Sequence, residues 1–219
     1  MVKTSLTLYS IRSVCSFIES GKIVTPAFQR GFVWSKKDVL DFLTSIYKGY
    51  PVGTITMLEE VPSRFNALSL RDFSPLASPK NSPYHSLWYV LDGTQRLSAL
   101  YRSLFSQDTE FAFAFNLESE EFITKSKVGT LDSFLELQSL YSAKSYLQFQ
   151  RSLFTIGEEY ELLLDKAKRL HDTFNEYQLP VQVLADITLE DAASIFQIIN
   201  TSGKHLRKSD IEEMWRDIG

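Results

Sequence analysis

Residues 90–100 read VLDGTQRLSAL, where an acid, a glycine, a hydroxyl, an amide and a guanidinium follow an apolar run and open a helical pattern. A strand that feeds a helix leaves the first N–H groups of that helix without partners inside it. Those donors, with the positive end of the helix dipole, favour an anion. Gly93 lets a phosphate approach the backbone closely and lets the chain take a conformation that other residues resist. Arg96 adds a planar fork matched to phosphate oxygens. Gln95 could orient a water or contact a base or sugar, and Asp92 could hold a metal ion or fix Arg96. The same letters also suit a plain turn, with Asp92 as a helix N-cap and Arg96 as an exposed residue of the first turn.

Two further stretches are polar beside apolar elements. PAFQRGFVWS carries Gln29, Arg30 and Trp34 in an extended, exposed segment, followed by Lys36 and Lys37. NTSGKHL sets Asn200, Thr201, Ser202 and Lys204 around Gly203. Each has a plainer reading: FVW as core, and Gly203 as the left-handed end of a helix.

These residues need elements to position them. Ser10 caps a short helix over 10–21 with Ile11, Val14, Phe17 and Ile18 on one face, and Cys15 is a small core residue of that helix. Pro26 keeps Thr25 extended. Ser35 and Asp38 form a capping box before a helix buried through Val39, Phe42, Leu43 and Ile46. GTITML and SLWYVLDG read as strands, 94–105 as a helix, and EFAFAFN with EEFITKS as a hairpin with Phe111, Phe113 and Phe115 on one side. Residues 60–83 hold four of the seven prolines and read as a surface insertion. After residue 126 the pattern turns helical, clearest in GEEYELLLDKAKRLHDTFNEY, with LPVQVL as a strand returning to the sheet. Thr188 and Asp191 repeat the capping-box pattern, and Ser209 caps a last helix.

The 219 residues are 44% hydrophobic and 13% aromatic, enough for a packed core. The single cysteine excludes an internal disulfide and a cysteine zinc cluster. A net charge of −4 argues against a general nucleic-acid coat and leaves room for a local basic cleft. No apolar run approaches a membrane span or a signal peptide, so a cytoplasmic protein is expected. His85, His171 and His205 sit in no metal-binding pattern, and no metal ligands are assigned.

Taken together and in order, TPAFQRGFVWSKKDVLDFLTSIYKGYPVGTI, YVLDGTQRLSAL and IFQIINTSGKHLRKSDI resemble the N-terminal domain of the GmrSD-type modification-dependent restriction endonucleases, a domain shared with other anti-phage proteins. The hallmark of that family is an Asp-Gly-Gln-Gln-Arg box on a ParB/sulfiredoxin-like fold. Thr94 stands where the family usually has the first glutamine. A hydroxyl still donates to phosphate, so the change bears on hydrolysis more than on binding. The resemblance implies that Asp92, Gly93, Gln95 and Arg96 bind a nucleotide, with Asp92, Gln95 and Arg96 as its catalytic group. It also implies that Thr94, Arg30, Asn200, Ser202, Gly203 and Lys204 add to that site. Sulfiredoxin chemistry is excluded, because no cysteine lies in the turn. The family's His-Asn-His nuclease module is a separate domain with no counterpart here, so the chain is expected to be the N-terminal part of a longer protein or one subunit of a pair.

The expected architecture is α+β: a small mixed sheet with helices over 1–125, ParB/sulfiredoxin-like and carrying the 92–96 turn at its edge, then a mainly helical extension over 126–219. The expected function is a nucleotide-binding regulatory domain of a DNA-defence system, with nucleoside triphosphatase activity open. Its ligand would be ATP, GTP or CTP, with or without Mg2+, and its partner a nuclease domain or subunit. Two alternatives stand beside it. One is a ParB-like DNA-binding module with Arg30, Lys36, Lys37 and Lys48 along one groove and Gln29 and Trp34 as further DNA-binding residues. The other is an interaction scaffold whose box has decayed.

Overall fold

The computed structural model describes residues 3–26, 31–61, 67–69, 83–106, 109–127, 133–154 and 160–188, with 191, 194, 195, 198 and 199. Most of 60–83 and all of 200–219 lie outside the described residues, and with them the expected insertion, the NTSGKHL loop and the helix capped by Ser209.

Local signals set the early elements. Strand β1 (Lys3–Ser10) ends on the residue that caps helix α1 (Ile11–Glu19), where the Ser10 hydroxyl accepts from the Ser13 N–H at 3.2 Å. Strand β2 (Ile23–Pro26) is buried throughout. Helix α2 (Lys36–Tyr47) opens with the expected capping box. The Ser35 hydroxyl accepts from the Asp38 N–H at 3.2 Å, and the Asp38 carboxylate accepts from the Ser35 N–H at 2.8 Å. Next come β3 (Ile55–Glu60), β4 (Ala67–Ser69), β5 (Leu87–Asp92) and α3 (Thr94–Leu104). The phenylalanine-rich hairpin follows as β6 (Phe113–Asn116) and β7 (Glu121–Thr124).

The later residues are less uniformly helical than expected. Between α4 (Ala143–Leu153) and the hairpin lies β8 (Phe134–Glu136), which pairs with β6 to make a three-stranded sheet in the order β7-β6-β8. A three-residue strand is too short to show a period. Helix α5 (Tyr160–Glu176) buries Leu163, Ala167, Leu170 and Phe174 and leads into β9 (Gln178–Ala185). The Thr188 hydroxyl donates to the Asp191 carboxylate at 2.9 Å and accepts its N–H at 3.1 Å, as their spacing predicts.

The main sheet is mixed, in the order β1-β9-β3-β5-β2-β4. β9 runs parallel to β3 and antiparallel to β1, while β5 runs antiparallel to β3 and parallel to β2. The LPVQVL segment therefore returns to the sheet, between the first strand and the third. One continuous core joins the inner faces of α1, α2, α3 and α5 to both sheets. At its centre Phe115 packs on Phe122 at 4.8 Å and Phe122 on Phe174 at 5.9 Å. Because β5 is an interior strand, the 92–96 turn rises from the middle of the sheet and not from an edge strand.

Candidate functional site

β5 is buried at Leu87, Tyr89, Val90 and Leu91, so its end is fixed by the core on both faces. The chain then turns within one residue. Gly93 holds φ +100° and serves as the N-cap of α3, whose first bond runs from the Leu97 N–H to the Gly93 carbonyl at 3.0 Å. No side chain caps this helix, and no acid lies in its first turn. Asp92 is therefore not the N-cap. A methyl group on Gly93 would sit 2.5 Å from Ile55 Cδ1, so both the backbone conformation and the approach of β3 require glycine. Thr94 is 6% exposed.

Asp92 instead fixes Arg96. The guanidinium donates to the Asp92 carboxylate at 2.7 Å and to the Val52 carbonyl at 2.8 Å, and its side chain is 16% exposed, so Arg96 is not an exposed residue of the turn. Two of its five N–H donors are thus engaged, and the rest carry no hydrogen bond among the described residues. Gly53, at φ +84°, makes room for it: a Cβ there would lie 2.7 Å from the arginine Nη1. The expected strand GTITML starts only at Ile55, and Val52 and Gly53 form the turn before it that seats Arg96.

Gln95 holds a neighbouring segment. Its amide oxygen accepts from the Val33 N–H at 2.8 Å and its nitrogen donates to the Gly31 carbonyl at 3.1 Å, so it acts as a short strand partner for 31–33. One lone pair and one N–H of the amide stay available for a water or ligand. Phe32 pins the same segment by packing on Phe111 at 5.1 Å beneath the Arg102 guanidinium. Trp34 packs edge-on against Phe42 of α2 at 5.3 Å. The result is an open depression of about 420 Å³ beside Arg96, walled by Trp34, Phe42 and Pro51 and carrying Asp38 and Asp41.

The sequence matches the family described as GmrSD restriction endonuclease, N-terminal domain, over residues 11–213. The chain belongs to that family. This GmrSD N-terminal domain is also 31% identical, over 88 residues or 39% of its length, to an uncharacterized protein (MJ0686) of Methanocaldococcus jannaschii. The matched stretch spans 15% of that relative.

In this GmrSD N-terminal domain Lys36 and Lys37 are exposed at the start of α2, and Lys37 pairs with Asp41 at 2.6 Å. Lys48 lies at the other end of the helix, ~18 Å away by helical rise. None of these lysines lines the depression. The Ser35 hydroxyl and N–H hold the Asp38 carboxyl below its usual range. Gln29, Arg30, Asn200, Thr201, Ser202, Gly203, Lys204 and His205 lie outside the described residues. Cys15 is buried in α1, and burial pushes its thiol well up, which suits a core role. His171 stacks on Tyr146 at 4.5 Å, and His85 is exposed. Among the described residues no three His, Cys, Asp or Glu side chains form a metal cage, and no helix is long and apolar enough to cross a membrane.

Proposed function

We propose that this domain binds a nucleoside triphosphate on a ParB/sulfiredoxin-like architecture and regulates the nuclease domain or subunit of a modification-dependent restriction or anti-phage system. One observation carries the reading. The N-terminus of α3 has no side-chain cap, turns on a left-handed glycine, and stands beside a half-engaged, sheltered guanidinium. Backbone amides, the helix dipole and a planar fork of donors then converge where a phosphate would lie.

Other features suit that use. Asp92 holds Arg96 in place and keeps one carboxylate oxygen for a water or a phosphate-borne Mg2+, and Gln95 retains the capacity to orient a water. These two, with Arg96, are the groups through which hydrolysis would run. Gln95 also links the helix end to residues 31–33, so a ligand that shifts the first turn of α3 would move the segment leading to Trp34. Such ordering of a segment around phosphate is a way to pass a signal to a partner. The DNA-binding alternative draws on exposed Lys36 and Lys37, but the carboxylates of the depression repel a phosphate backbone. The decayed-scaffold alternative draws on Thr94.

Melting of the full chain with ATP, GTP, CTP and UTP, with and without Mg2+, tests the reading. A ligand at a hundredfold excess over its Kd adds about 2.7 kcal/mol, or roughly 5–10 °C for a chain of this size. No shift with any of the four at millimolar concentration overturns it. DNA binding that weakens steeply with salt and ignores nucleotide favours the ParB-like module instead.

A further inference from the structure

The depression beside Arg96 has a chemistry opposite to that of the helix end it adjoins. Asp38 and Asp41 supply two carboxylates; Asp41 is paired with the exposed Lys37 at 2.6 Å and the charge of Arg96 is met by Asp92, so the carboxylate of Asp38 is the charge in excess. A phosphate placed there would face like charge. The carboxylates accept hydrogen bonds and offer none, so a suitable occupant must bring donors. Trp34 and Pro51 add apolar walls, so it must also bring a flat, weakly polar face. The volume of about 420 Å³ falls within the roughly 300–1,000 Å³ of small-molecule sites.

A nucleoside meets each requirement. Its ring stacks on an indole, and its ribose hydroxyls and ring N–H groups donate to carboxylates. Arg96 belongs both to the first turn of α3 and to the wall of the depression, so the two places lie within reach of one ligand. We infer that the depression formed by Trp34, Asp38 and Asp41 is the nucleoside subsite, taking the base and ribose of a nucleotide whose phosphates lie at Gly93. The inference rests on the nucleotide reading above and adds to it a direction. The carboxylates turn the phosphates away, so the ligand enters in one orientation. Gln95 serves this subsite as a positioning residue, because it holds the segment that ends in Trp34.

Calorimetric titration of the full chain with two probes tests this. One is whichever of the four triphosphates gives the largest melting shift, and the other is inorganic tripolyphosphate, which lacks a nucleoside. Trp34→Leu is expected to weaken the nucleotide about tenfold, within the range of a base–aromatic stack, and to leave tripolyphosphate unchanged. Asp41→Ala is expected to weaken the nucleotide while tripolyphosphate binds as well or better, since the substitution removes a carboxylate and releases the Lys37 ammonium paired with it. Asp41 is exposed, so this variant keeps the test valid if Trp34→Leu fails to fold. Equal effects on both probes, or no effect on either, overturn the subsite alone. Failure of the wild-type chain to bind either probe overturns the nucleotide reading, and the subsite with it.

Discussion

At the start of β5 the Lys22 ammonium, 14% exposed, donates to the Ser86 carbonyl at 2.8 Å, the Ser86 hydroxyl at 3.2 Å and Glu59 at 3.4 Å. At the end of β5 the Arg96 guanidinium, 16% exposed, donates to the Val52 carbonyl at 2.8 Å and to Asp92 at 2.7 Å. Each is a sheltered cation that ties β3 to β5 through one carboxylate and one backbone carbonyl. Lysine has three donors and all three are met, and the rings of Trp88 and Tyr84, at 5.1 and 5.7 Å, close over it. Arginine has donors left over, a helix end beside it and a depression open next to it. Shelter alone therefore does not mark a functional cation; unused donors facing a reachable space do.

Replacing each cation is the sharpest way to break this comparison. Lys22→Met and Arg96→Met each lose a bond to a backbone carbonyl and leave a carboxylate unpaired, so each should lower stability by about 1–3 kcal/mol in urea denaturation. Only Arg96→Met should abolish triphosphate binding, a loss of a hundredfold or more by calorimetry. Comparable losses in both variants would show that fold, and not the arginine site, governs affinity.

A smaller effect separates backbone strain from the seat of the guanidinium. Gly53→Ala forces a methyl group toward Arg96 Nη1 and should weaken triphosphate binding about tenfold, with a stability loss of about 1–3 kcal/mol. Gly49, at φ +69°, has nothing within 4 Å of an added Cβ. Gly49→Ala should show the strain without the loss of affinity. Equal affinity in the two variants would detach Gly53 from the site.

Acid titration of the lysine end should give the smallest effect. The Ser86 hydroxyl, assisted by the Lys22 charge and opposed by burial, holds the Glu59 carboxyl below its ordinary value of 4.5. A carboxyl lowered in the folded state stabilises the fold above the ordinary value. That contribution fades as pH falls from about 4.5 through the lower folded value. Glu59→Gln should flatten this part of the melting profile and leave nucleotide affinity at neutral pH unchanged.

What could be read in advance follows how local each cause is. Ser10, Ser35 and Thr188 showed themselves as caps because a cap and its partner lie three residues apart. The β5-to-α3 turn showed for the same reason. Whether Asp92 would cap or pair did not, because the answer comes from Val52, which arrives from 40 residues upstream and leaves the guanidinium one place to lie. Asp38 read as the partner of Ser35 in a cap, and nothing local marked Asp41. Only the placing of 31–34, tied to α3 by Gln95, to Phe111 by Phe32 and to α2 by Trp34, makes the start of α2 part of a depression. Strand β8 escaped notice because three residues carry no period.

β9 sits between β1 and β3, so the first strand of the chain has no neighbour in its sheet until nearly all the described residues have been synthesised. Such distant pairing closes late and slows folding. Once closed, it laces residues 3–10 to residues 178–185 through eight pairs, from Lys3 with Ala185 to Ser10 with Gln178. A protease nick between β1 and β9 should therefore leave the fragments migrating together in native gels and parting only in denaturant.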